Sequence, residues 1–96
     1  MDFQKLREKI NEEIQLHKLQ QIENFDRIRK CLSNFKEKRD RMYKLCEILD
    51  ACYTSDPKKR VTVCELIENC DEKYGVNATY KDLSLDDQEL VLKYIF

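Results

Sequence analysis

A chain of 96 residues with 42% hydrophobic and 39% charged side chains is too apolar for a disordered tail, and long enough for only one small domain or an arm plus a minidomain. Its single glycine and single proline leave almost no material for hairpins, and its formal net charge of -1 supplies no overall field toward nucleic acid or an anionic membrane. An all-α protein is expected.

Residues 2–53 contain neither glycine nor proline. At about one hundred degrees per residue, Phe3, Leu6, Ile10, Ile14, Ile28, Leu32, Phe35, Met42 and Leu49 fall on one stripe. Ile14, Ile28, Phe35, Met42 and Leu49 also recur at one heptad position, with Phe3, Ile10, Cys31 and Leu45 at the other. The spacing predicts a long N-terminal amphipathic, coiled-coil-like helix, or a helical hairpin. The middle of the seam is polar, with Glu13, His17, Gln21 and Asn24, while Leu16, Leu19 and Ile22 point elsewhere. Either this section is enclosed by several neighbours, with Asn24 fixing register, or the chain bends between residues 14 and 25. A straight helix over the whole stretch would be roughly 75 Å long at about 1.5 Å per residue, more than the remaining chain can cover. A partner, either itself or another helical protein, is therefore expected on the seam Ile10, Ile14, Ile28, Phe35, Met42 and Leu49.

Charge is divided along the chain. Residues 27–44 hold eight basic side chains against Glu37 and Asp40, whereas the part after Tyr53 has nine carboxylates and six basic groups. Arg27, Lys30, Lys38, Arg39 and Arg41 are the candidates for contact with an acidic partner or with nucleic acid, as non-specific, salt-sensitive backbone contacts. A solvated helix face accounts for the same residues.

Five cysteines invite a disulfide or zinc reading, but the spacing opposes both. Cys46 and Cys52, like Cys64 and Cys70, are six apart, which turns a helix through about 240 degrees and leaves the thiols on different sides. There is no Cys-x-x-Cys, and the one histidine, His17, lies far off in sequence. Small core hydrophobes in a reducing compartment are expected, and no metal or cofactor.

The one clear break is Thr54-Ser55-Asp56-Pro57-Lys58-Lys59-Arg60, where Pro57 cannot continue a helix. Thr62 and Glu65 have capping-box spacing, so the next helix is expected from Thr62 to Tyr74, ended by Gly75 as a left-handed cap. Asp56-Pro57-Lys58-Lys59-Arg60-Val61-Thr62-Val63-Cys64-Glu65-Leu66-Ile67 resembles the Asp-Pro-x-x-Arg-x-Thr stretch near the end of protein kinase catalytic domains, where it joins two helices. The resemblance covers about an eighth of the chain, and no glycine-rich loop, strand lysine, His-Arg-Asp or Asp-Phe-Gly accompanies it. It implies a helix, bend, helix connection and no activity.

Ser84 followed by Asp86, Asp87 and Glu89 has the cap and first-turn charge of a last helix running to the terminus. Phe96 would then be a lid on the core or a sticky patch. No nucleophile can be matched with a base, and one glycine builds no phosphate-cradling loop. The expectation is a non-enzymatic protein-protein interaction module, intracellular and soluble, with no membrane and no small-molecule substrate. Its parts are an arm over 1–53, a bend over 54–61 and a helical minidomain over 62–96. A small nucleic-acid-associated regulator using residues 27–44 is the alternative.

Overall fold

The computed structural model describes residues 2–52 and 56–95, so Tyr53 at the end of the expected arm, the Thr54-Ser55 part of the expected bend and the Phe96 lid lie outside the described residues. Among the described residues four α-helices follow one another: α1 (Phe3–Leu32), α2 (Lys38–Cys52), α3 (Pro57–Tyr74) and α4 (Leu85–Tyr94), with a short 3-10 turn at Tyr80–Asp82 before the last. No strand occurs among the described residues.

The stretch without glycine or proline is thus two helices, and the break falls at residues 33–37 rather than between 14 and 25. Asp2 opens α1 by accepting a hydrogen bond from the Gln4 amide at 3.0 Å. At the far end the Ser33 hydroxyl donates to the Lys30 carbonyl at 2.7 Å, and the Phe35 amide turns back to the Leu32 carbonyl at 3.0 Å. Ser and Asn side chains compete with helical backbone bonds, which suits Ser33-Asn34 to a turn. Arg41 Nη1 then donates to the Phe35 and Lys36 carbonyls at 3.1 and 2.8 Å and fixes the turn to α2. The polar seam positions did not interrupt α1 because they found partners or water. Gln21 is buried against α4, while Leu16 and Leu19 are simply exposed.

Helix α3 starts at Pro57, ahead of the expected Thr62. Proline's missing N–H costs nothing in a first turn, and Asp56 caps it by accepting from the Lys58 amide at 3.0 Å. The Thr62 hydroxyl instead donates to the Lys58 carbonyl from within the helix. Gly75 does end α3, with φ 93° and its amide on the Asp71 carbonyl. Ser84 caps α4 by accepting from the Asp87 amide, and the helix stops at Tyr94.

One core joins all four helices. Phe25 and Leu32 of α1, Leu45 and Leu49 of α2, Val63, Leu66, Ile67 and Cys70 of α3, and Leu83, Val91 and Ile95 are buried together. The core draws on residues from both sides of positions 53 and 62. The second half of α1 belongs to the same body as α3 and α4, and its first half stands clear of that body. Helix α1 alone is about 45 Å long at roughly 1.5 Å per residue, which accounts for most of the molecule's 56 Å long axis. Among the described residues no helix is long and apolar enough to cross a membrane.

Candidate interaction surface

Every residue from 2 to 20 is exposed. With Ile10 as origin, Phe3, Leu6, Ile14, His17 and Gln21 lie within about forty degrees on the helix circumference. Phe3 is 71% exposed and Leu6, Ile10 and Ile14 are 45–46% exposed, so an apolar stripe runs along the free half of α1. The same face turns inward from residue 21 onward, where Gln21, Phe25 and Leu32 are buried. Stripe and core contact are one continuous surface, covered at one end by the chain's own α4.

The junction is made by Gln21. Its Nε2 donates to the Leu92 carbonyl at 2.7 Å and to the Ile95 carbonyl, at the end of α4 where intrahelical donors run out. A shallow groove of about 350 Å³ lies just outside, walled by Ile10, Ile14 and His17 on α1 and by Leu92 on α4.

The other expected seam residues are distributed differently. Leu49 is 1% exposed, and Ile28 and Met42 pack against the core. Phe35 sits half-buried in the turn between α1 and α2. Of the six, only Ile10 and Ile14 lie on the free part of the molecule, and the turn at 33–37 breaks the phase that related them to Met42 and Leu49. Phe3 and Leu6 complete the exposed stripe, which their three-and-four spacing with Ile10 already marked. Leu92 had no such signal, since its place beside α1 depends on the fold.

The basic segment is partly used by the fold. Lys38 contacts Glu68 at 2.5 Å and Glu72 at 3.3 Å, and the two carboxylates hold its ammonium above the usual lysine range. Arg41 caps the turn and approaches Asp71 at 3.7 Å. Arg29 is almost fully buried, with Nη1 3.1 Å from Asp71, Nε donating to the Ala78 carbonyl and Nη2 to the Gly75 carbonyl. Burial pushes the Asp71 carboxyl up despite both arginines. Arg27, Lys30 and Arg39 remain at the surface, and the Arg39 guanidinium lies over the Tyr43 ring.

Among the described residues no group of histidine, cysteine and carboxylate side chains could hold a metal ion. Cys31, Cys46, Cys64 and Cys70 are free thiols, and the Cys52 side chain lies outside the described residues. Burial, and after it the neighbouring Cys46 thiol, pushes Cys64 up, and burial does the same to Cys70. A depression of about 640 Å³ between α3 and α4 is bordered by Glu65, Asn69, Lys73, Asp87, Leu90 and Tyr94. Lys73 and Tyr74 are both bonded to Asp87 there, so those polar groups are spent on one another. No protein-family model, no curated protein and no solved structure matches this chain.

Proposed function

We propose that this protein is a non-enzymatic protein-protein interaction module in which the four-helix body holds one helical arm, the first half of α1, out for docking. The observation that carries this reading is the stripe of Phe3, Leu6, Ile10 and Ile14, exposed by 45–71% on a helix whose continuation is buried. Large apolar side chains in a row, at helical spacing and flanked by charge, are the usual form of a helix that inserts its face into a partner. An isolated helical segment of this length is marginal in water, so covering the stripe also stabilises the arm. The nucleic-acid alternative has less support, because Lys38 and Arg41 already face carboxylates within the chain.

The test is co-purification from its own cell extract and by itself, comparing the unmodified protein with Ile10→Lys combined with Ile14→Lys. Association with any protein, a second copy included, that the double variant loses is the expected result. A protein that stays unassociated under all conditions, or whose associations ignore the double variant, overturns the reading.

A further inference from the structure

We propose that the free half of α1 pairs with the same segment of a second copy of this chain, running antiparallel and centred on Ile10. This rests on the docking reading above and names the occupant of the stripe.

Direction follows from the fold. The chain's own α4 occupies the stripe side of α1 from Gln21 onward, through the bonds of Gln21 to the Leu92 and Ile95 carbonyls. A parallel partner in register would have to lay its residues 21–32, with its whole body attached, where that α4 already sits. An antiparallel partner avoids the collision. Its body lies beyond the start of the first α1, and only its first helical turn reaches the groove between Ile14, His17 and Leu92. The two bodies then stand at opposite ends of a two-helix rod.

The sequence of the stripe complements itself in that direction. Centring on Ile10 sets residue 10 opposite its own copy, Leu6 opposite Ile14, and Phe3 opposite His17, so every layer is apolar or pairs an aromatic ring with the imidazole. Lys9 and Glu13 share one edge of the stripe, and the antiparallel arrangement sets Lys9 of each chain about 3 Å along the axis from Glu13 of the other, at about 1.5 Å per residue. Two symmetric ion pairs result, of the kind that fixes orientation in helical pairs. The opposite edge carries Arg7 and Lys18. There the two Arg7 residues stand about 9 Å apart along the axis and remain in solvent, where salt screens them. A rod of this length buries roughly 1,000 Å² in total, at the low end for specific interfaces, so a reversible, concentration-dependent dimer is expected.

The test has two parts on the full chain, the first of them in reducing buffer. Sedimentation over a micromolar to millimolar range should show the mass rising from 11.6 kDa toward twice that value. Ile10→Lys, an exposed position that leaves the helical signal unchanged, should hold it at the monomer. Leu6→Cys and Ile14→Cys chains are then mixed, mildly oxidised and mapped by mass spectrometry. A bond between Cys at 6 of one chain and Cys at 14 of the other is expected, while bonds joining 6 to 6 and 14 to 14 overturn the antiparallel pairing. A constant monomer mass overturns self-pairing altogether. If the monomer nevertheless captures a different helical protein that Ile10→Lys loses, the docking reading survives and the second copy is the wrong occupant. If it captures nothing, both fail.

Discussion

Arg29 on α1 and Asp71 on α3 form an ion pair at 3.1 Å with only 2% and 15% of their side chains exposed, 42 positions apart in sequence. The guanidinium also lies 5.6 Å from the centre of the Phe25 ring and serves the Gly75 and Ala78 carbonyls. One side chain thus ties the first helix to the end of the third and to the connector after it. Arg29→Met should cost about 3–5 kcal/mol, because it takes the nearer cation from the largely buried Asp71 carboxylate, leaving Arg41 at 3.7 Å, and removes the side-chain donor to the Gly75 and Ala78 carbonyls. Urea unfolding followed by circular dichroism measures this, and an unchanged midpoint would show the pair to be dispensable.

Gln21 makes a smaller but more local contribution. Gln21→Ala removes the donor to the last carbonyls of α4, a loss of about 1–3 kcal/mol for buried groups left unpaired. Hydrogen exchange should rise at residues 91–95 more than in α3. Uniform acceleration across the body would contradict a local role.

Core and arm should separate cleanly in stability measurements. Leu49→Ala and Phe25→Ala remove fully packed side chains and should cost about 2–5 kcal/mol each. Ile14→Ala, on the arm, should change monomer stability by no more than about 0.5 kcal/mol, as surface substitutions do. Thermal unfolding at dilute concentration, where arms are unpaired, is the appropriate comparison.

Acid should weaken the contact between α3 and α4. The Asp87 carboxylate, which accepts from the Tyr74 hydroxyl and from Lys73, is held below its ordinary value of 3.8 by those two partners. A carboxyl lowered on folding binds fewer protons folded than unfolded, so its stabilisation is present above that ordinary value and lost as pH falls through the lowered one. Asp71 works the other way. Its raised carboxyl takes up a proton more readily when folded, so its contribution declines as pH rises above the ordinary range. Asp87→Asn should therefore flatten the fall in denaturation midpoint as pH drops below the ordinary value of 3.8. An identical fall in both proteins would remove Asp87 as its source.

Thiol reactivity should follow burial. Cys46 is exposed, Cys64 is half-buried and Cys70 is 2% exposed, with the latter two thiols pushed up by burial. Alkylation timed by peptide mass spectrometry should modify Cys46 first and Cys70 last, since the thiolate is the reacting form. Rapid labelling of Cys70 in the folded protein would contradict its place in the core.

The sequence by itself determined that the chain is helical, and it marked the end of α3 and the start of α4 but not the break at residues 33–37 or the start of α3. The absence of glycine and proline before Asp56, the cap at Ser84 and the glycine at 75 act within a few residues of themselves, and the corresponding features stand in the structure. It also marked the apolar stripe through Ile10 and Ile14, because periodicity is a property of one helix alone. Tertiary structure decided which part of that stripe is core and which is surface. Ile28, Met42 and Leu49 carry the same pattern as Ile10 and Ile14, yet they are packed inside because α3 and α4 return to cover them. Periodicity records that a face is apolar, but not what meets it. The polar seam residue Gln21 shows the same limit, since its partners are carbonyls 71 and 74 positions away, brought within reach only by the fold.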